Sequence, residues 1–451
     1  MLDKIFAKIE RFVPLKWREA LRGLADQGGF KRYFTNTGWM FGGQMLTLLL
    51  SFFIGAWLAR YLGPENYGVL NYAVAFVGLF GFIMNLGVDG IITRDLVKFP
   101  EKRDELLGTG FRLKIIGGVI AFALTVSAAL IFSLSPLIRL LIVIFAATFI
   151  LQAINIVSLH FQAGVQAKRN VRVTLTATLI SSILKIGAIL TGRGVIWIIV
   201  IFTLDFLWQG IAYARAYQAS GLRMKDWRFD RALAKEIFSA AWLLMLASAS
   251  AYIYLKVDQV MIGAYLGTRA VGLYAAAVKL CEIWYFIPYI ICASLFPAIV
   301  NAKITSPLVY KQRLKALYLL MVGLATAIAV PMALLAPWII KVIFGRAYLA
   351  AAGILQIYIW SGIGFFVYVA IYQYFLSENR LWAIFYYSVF SMLANVGLNF
   401  ILIPRLGLTG AAWATFISYF AGPIVVALAH WRRKETPPEP APPFPIAPTI
   451  N

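Results

Sequence analysis

The chain has 451 residues, 61% of them hydrophobic and only 13% charged, and its mean hydropathy is +0.80. A soluble globule carries about 45–50% apolar and about 25% charged residues, so the composition excludes a water-soluble domain and leaves a polytopic membrane protein. The net charge of +22 invites a nucleic-acid reading, which the placement of the basic residues removes.

The first 33 residues read as a cytoplasmic amphipathic segment. In MLDKIFAKIERFVPLKW the apolar Leu2, Ile5, Phe6, Ile9, Phe12 and Val13 recur at helical spacing, and there is no charge-free stretch of a cleavable signal. Twelve apolar segments follow, near residues 35–59, 68–88, 113–133, 137–161, 172–192, 195–216, 238–263, 271–299, 315–336, 351–376, 382–403 and 407–430. Their length and scarcity of charge predict spanning helices, and barrel-type alternation is absent. The predicted organisation is an N-lobe of spans 1–6 (34–217), a cytoplasmic linker (218–237) and a C-lobe of spans 7–12 (238–430). Trp227, Phe229 and Leu233 suggest a surface-lying helix in the linker, and the proline-rich tail (431–451) reads as disordered or extended.

With the N-terminus in the cytoplasm, 31 of the 41 Lys and Arg residues fall on the cytoplasmic side, seven on the outer side and three within spans. This positive-inside asymmetry predicts that both termini are cytoplasmic, in a cell (inner) membrane. Basic residues spread over several short loops act as topology determinants beside anionic membrane lipid. No nucleic-acid partner is expected.

YLGPENYG at 61–68 and YLGTRAVG at 265–272 repeat one turn 204 residues apart, both on external turns, and GRGVIWIIV and LGLTGAAWA open spans 6 and 12. Six-span units of even number insert in the same orientation, which predicts two parallel lobes about an axis along the membrane normal, around a central cavity.

Catalytic and metal chemistry finds no footing. Cys281 and Cys292 would lie about 16 Å apart on one helix, and His160 and His430 are the only histidines. CxxC, HExxH and phosphate-cradling GxxxxGK[ST] motifs are absent. No cofactor and no metal are expected, an ATP-driven pump is excluded, and the short external loops lack paired carboxylates for glycosyl chemistry.

Charges inside spans are costly, about 2.5–3.5 kcal/mol each, and normally face a cavity or a partner. They are Lys185, Asp205, Lys256, Asp258, Lys279 and Glu282. Lys279 and Glu282 share a helix face, Lys185 and Asp205 can pair across the turn at Gly192–Gly194, and Asp258 and Lys279 can pair across the hairpin of spans 7 and 8. They either staple helices or line a hydrated cavity that binds an anionic group. Tyr252, Tyr254, Trp284, Tyr285 and Tyr289 offer sugar-stacking faces; Gln44, Asn71, Gln152, Gln356, Gln373, Asn395 and Asn399 offer hydrogen bonds. Pro288 and Pro331 mark kinks.

KVDQVMIGAYLGTRAVGLYAAAVKL (256–280) resembles the span 7–8 segment of Wzx-type polysaccharide flippases, within the multidrug/oligosaccharidyl-lipid/polysaccharide exporter superfamily. ARYLGPENYGVLNYA (59–73) with NLGVDGIITRDL (85–96) resembles the matching N-lobe segment, and IFGRAYLAAAGIL (343–355) the loop before span 10; the resemblance covers roughly 34–430. It implies an alternating-access flippase for a polyprenyl-diphosphate-linked oligosaccharide, not an enzyme, with polysaccharide assembly proteins as further candidate partners. Asp258 and Lys279 match positions that recur in that family, and Arg94 sits where it often has a basic residue. The expected substrate-binding set is Lys185, Lys256, Lys279, Arg94 and Tyr285. Asp205, Asp258 and Glu282 serve ion coupling or helix pairing; Asp258 or Glu282 could bind a proton or a sodium ion. A cation or drug antiporter of the same superfamily is the alternative, and a membrane glycosyltransferase or polymerase ranks lower. A lipid II-type flippase would be expected to have fourteen spans.

Overall fold

A computed structural model describes residues 28–132, 134–377 and 381–432, and every regular element among them is helical. The amphipathic segment up to residue 27 and the proline-rich tail from residue 433 lie outside the described residues. Nine described helices are long and apolar enough to cross a membrane, and a tenth is the pair Arg231–Trp242 and Met245–Leu266, bent by 53°. One of the nine, Thr35–Gly78, has 44 residues and would run about 66 Å if straight. It is two spans, because Gly63 (φ 70°, ψ 170°) breaks it. The final helix, Leu408–Arg432, adds 25 residues. Counted with these two, the described residues form an all-α membrane protein consistent with the expected twelve spans.

Local chemistry sets several boundaries. The Ser135 and Ser306 hydroxyls accept from the Ile138 and Val309 amides at 3.4 and 3.5 Å, each just before a proline at the first helical position. Asp230 caps span 7 by accepting from Ala232 and Leu233 amides at 2.7 and 3.0 Å. Span 3 runs Arg103–Ile131, starting ten residues earlier than hydropathy indicates. Lys114 is buried inside it, where its Nζ meets Asp89 Oδ1 at 2.6 Å. That neutralising partner is what admits a lysine to the helix.

The linker also departs from expectation. It is a short 3-10 turn, Met224–Asp226, followed by non-helical residues 227–230 that are extended at Trp227 and Asp230. Trp227 packs on Phe111 (ring centroids 5.5 Å) and its Nε1 donates to Tyr217 Oη at 3.1 Å. Arg228 N donates to Asp104 O at 3.1 Å and Asp230 N to Thr109 Oγ1 at 3.0 Å. Spans 3 and 6 satisfy these groups, so no separate surface helix is needed.

The repeated turn is the centre of the architecture. Gly267 (φ 82°, ψ 175°) repeats the backbone of Gly63, in a region essentially reserved for glycine. Spans 2 and 8 leave these two kinks and meet face to face. A Cβ on Gly68 would overlap the Thr268 carbonyl, and one on Gly272 the Pro64 carbonyl. The segment 336–350 reaches over from the C-lobe: Tyr348 Oη donates to Ala59 O at 2.7 Å, and Val342 O accepts from Arg60. Glu65 accepts from Thr268 across the same seam.

Hydrophobic packing follows suit. At this glycine end one core joins spans 1 and 2 to span 8 and the 336–359 region. Toward the linker end the packing divides. One cluster belongs to the N-lobe with Ile237 and Ala241 of span 7, and another runs from Cys292 to Tyr419 in the C-lobe. The lobes are therefore fused at the glycine end, and at the linker end they form separate cores apart from the start of span 7, which joins the N-lobe one.

Candidate functional site

A cavity of about 300 Å³ lies in the N-lobe and opens on span 8. Ser51 and Gly55 of span 1, Ser181 and Lys185 of span 5, Asp205 of span 6 and Lys279 of span 8 are among its lining residues. Lys185 Nζ donates to Asp205 Oδ2 at 2.9 Å and stands 3.9 Å from the Phe202 ring centroid, a cation–π contact that helps hold an ammonium away from bulk water. The Lys185–Asp205 pairing read from the hairpin is formed.

Lys279 enters this well from the other lobe. Its Nζ occupies the space where a Cβ on Gly55 would sit. Lys279 is eleven residues beyond Thr268, hence about 17 Å from the glycine end. Among the described residues it has no ion-pair partner within 4 Å. The proposed Asp258–Lys279 hairpin pair is not formed, because the two side chains leave spans 7 and 8 toward different lobes. Asp205 Oδ1 and Ser181 Oγ are buried without a hydrogen-bond partner in the same well. The well thus holds two ammonium groups, one carboxylate and unspent polar atoms, the inventory of an anion site.

Asp258 sits in a buried polar cluster of the C-lobe. Its Oδ2 accepts from Tyr274 Oη at 2.8 Å and Thr415 Oγ1 at 2.7 Å, and its Oδ1 accepts from Asn399 Nδ2 at 2.8 Å. Asn399 also donates to Asn395 Oδ1 at 3.0 Å. Asp258, Asn395, Asn399, Thr415 and Ser418 are all buried. Spans 7, 8, 11 and 12 supply these groups, so a single carboxylate is held by neutral donors and no cation contacts it among the described residues. Three neutral donors therefore meet the two oxygens of one buried carboxyl group.

The remaining predicted residues scatter. Lys256 runs along Gly78 of span 2, where a Cβ would lie 3.2 Å from its Cγ. Glu282 is half-buried on span 8 near the end of the helix Thr268–Glu282. Tyr285 stacks on Phe365 at 3.9 Å and 15°. Arg94 lines neither the well nor the Asp258 cluster: it pairs with Asp95 at 2.7 Å on the surface, its side chain 55% exposed. Tyr274, Thr415, Ser418 and Gln209, which accepts from Asn155 at 2.8 Å, were not legible as site residues. Neutral polar groups in apolar spans leave little trace in charge or hydropathy.

Comparison with known proteins accords with this geometry. A family model described as polysaccharide biosynthesis protein matches residues 34–303, more than half of the chain. An inward-facing multidrug resistance MATE family transporter of the MOP superfamily shares the fold with a TM-score of 0.71 at 14% identity, over 86% of this chain and 96% of its own. The lipid II flippase MurJ, in an inward closed conformation, gives 0.67 at 15% identity, over 87% of each chain. A MOP superfamily transporter from Pyrococcus furiosus, described by a binding pocket of reversed polarity, gives 0.60 at 14% identity, over 88% of this chain and 93% of its own. No curated protein sequence matches. The chain belongs to the polysaccharide biosynthesis protein family.

Proposed function

We propose that the protein is a flippase that carries a polyprenyl-diphosphate-linked oligosaccharide from the cytoplasmic to the outer leaflet of the cell membrane by alternating access. The observation that carries this reading is the N-lobe well, where Lys185 and Lys279 from opposite lobes line one cavity. A diphosphate there would be held by two ammonium groups at different positions in the cycle, because rocking of the lobes changes the reach of Lys279. The fused glycine end would face outside, and the divided linker end the cytoplasm, consistent with the excess of cytoplasmic basic residues. An inside-negative potential favours outward movement of anions by about 2.3 kcal/mol per charge per 100 mV. Transport therefore needs no nucleotide.

In this reading the buried Asp258 binds a proton or sodium ion and resets the cycle. The Asp258 carboxylate oxygens and the Thr415 and Tyr274 hydroxyls that donate to them lie together there with the Asn399 amide, and a bound proton or hard cation would take the place of those donated hydrogen bonds. A cation or drug antiporter is the second reading, favoured by the same carboxylate. Export of surface glycan decides between them: Lys185→Ala and Lys279→Ala, each expressed at the parental level, should abolish it. Unchanged export in both variants would remove lysine-mediated recognition of a diphosphate.

A further inference from the structure

The aromatic residues of the two halves differ in a way that packing alone does not require. Sixteen of the 22 tyrosines follow residue 237, whereas 20 of the 33 phenylalanines precede it. An interfacial aromatic belt surrounds the whole protein and gives no reason to concentrate hydroxyls in one lobe. The C-lobe has exchanged apolar rings for rings with a polar handle, which pays off only where something polar is met.

Those rings form a connected wall. Tyr285 stacks on Phe365, Tyr289 meets Phe365 edge-on at 5.8 Å, and Tyr368 lies 6.4 Å from both Phe365 and Tyr372. Tyr387 stacks on Tyr368 at 4.8 Å and fixes its ring from behind. Most of the wall is covered, but Tyr289 is 53% and Tyr372 37% exposed. Tyr289 is one turn beyond Phe286, whose ring approaches Phe41 of span 1 at 6.5 Å. That places Tyr289 on the side of span 8 that turns toward the N-lobe. Lys279, seven residues before Phe286 across the turn 283–285 that joins the two helices of span 8, also reaches span 1, at Gly55, and Tyr289 lies ten residues further along the chain from it. One face of span 8 thus passes from an ammonium in the N-lobe well to an exposed tyrosine where the lobes pack separately.

We propose that Tyr289 and Tyr372 form a saccharide-reading subsite, in which their rings stack on the apolar faces of pyranose residues and their hydroxyls hydrogen-bond to sugar hydroxyls. The diphosphate of the same molecule occupies the Lys185–Lys279 well. This rests on the flippase reading and deepens it: the N-lobe recognises the charge shared by all such carriers, and the C-lobe discriminates the glycan. Phe365 and Tyr368 act as positioning residues that set the two exposed rings.

Binding of two soluble probes to the purified full-length protein separates the parts. One probe is farnesyl diphosphate; the other is the same carrier bearing a disaccharide of N-acetylglucosamine. The parental protein should bind the glycosylated probe more tightly. Tyr289→Ala and Tyr372→Ala should each cut the ratio of glycosylated to bare affinity about five- to tenfold, leaving bare-carrier affinity unchanged, and Tyr289→Phe should retain most of it. Equal weakening of both probes, or an unchanged ratio in both alanine variants, overturns the subsite. A parental protein that binds the bare carrier but gains nothing from the sugar also overturns it. Failure of the parental protein to bind either probe refutes the diphosphate well instead, a distinct outcome.

Discussion

Gly68 and Gly272, the second glycines of the two repeated turns, lie backbone against backbone at the seam between the lobes. A Cβ on Gly68 would stand 2.9 Å from Gly272 N, and one on Gly272 would stand 3.0 Å from Gly68 N. The first glycines, Gly63 and Gly267, share a positive φ and an extended ψ. The repeat therefore encodes both the kink that launches each helix and the close approach that joins them. Internal symmetry of the sequence has become physical contact.

Gly68→Ala and Gly272→Ala should each destabilise the protein by about 1–3 kcal/mol, the usual cost of forcing atoms into a packed contact. Here the obstructing atoms are backbone carbonyls of Thr268 and Pro64, which cannot swing aside. Thermal unfolding of the purified variants measures this; melting at the parental temperature would show that the seam is loose.

The same substitution at Gly55 should behave differently. The obstructing atom there is the end of the Lys279 side chain, which can withdraw by rotation. Gly55→Ala should leave stability within about 0.5 kcal/mol, as for changes that disturb no packed feature, while reducing glycan export by displacing the ammonium from the well. Loss of stability without loss of export would argue that Lys279 is only a packing element.

Asp258→Asn should cost about 1–3 kcal/mol, because an amide cannot accept from all three donors now aimed at the carboxylate. It should also make transport in proteoliposomes insensitive to imposed proton and sodium gradients. A variant that still responds to either gradient as the parent does would exclude Asp258 as the coupling group.

Removing one partner of the Lys185–Asp205 pair should be worse than removing both. The side chains are 12% and 25% exposed, so Lys185→Met or Asp205→Leu should destabilise by about 1–3 kcal/mol, less than for a fully buried pair. The double variant Lys185→Met with Asp205→Leu should recover most of that loss but not transport. Additive losses in a double-mutant cycle would mean that the pair is not coupled.

The spans were legible because bilayer thickness imposes a length on apolar runs, and the lobes because a rare turn was written twice. Lys185 and Asp205 were legible as a pair because a short turn separates them. Lys279 was named as a substrate-binding candidate but its place beside that pair was not legible, since the space that receives it is made by a glycine 224 residues earlier, and an absent side chain carries no signal. Asp258 was visible as a charge but its environment was not: Asn399 and Thr415 lie 141 and 157 residues away and do not disturb hydropathy.

The linker leads to one more consequence. Trp227, Arg228 and Asp230 are fastened to spans 3 and 6, so the chain is already committed to the N-lobe when span 7 begins. Gly221, exposed with φ 78°, precedes all of these attachments. A break in the polypeptide there cuts no contact that joins the lobes, and two co-expressed fragments should find each other through the Gly68–Gly272 seam and complement in the same membrane. The covalent bond between the halves is then an assembly convenience, and their partnership is written in the surfaces themselves.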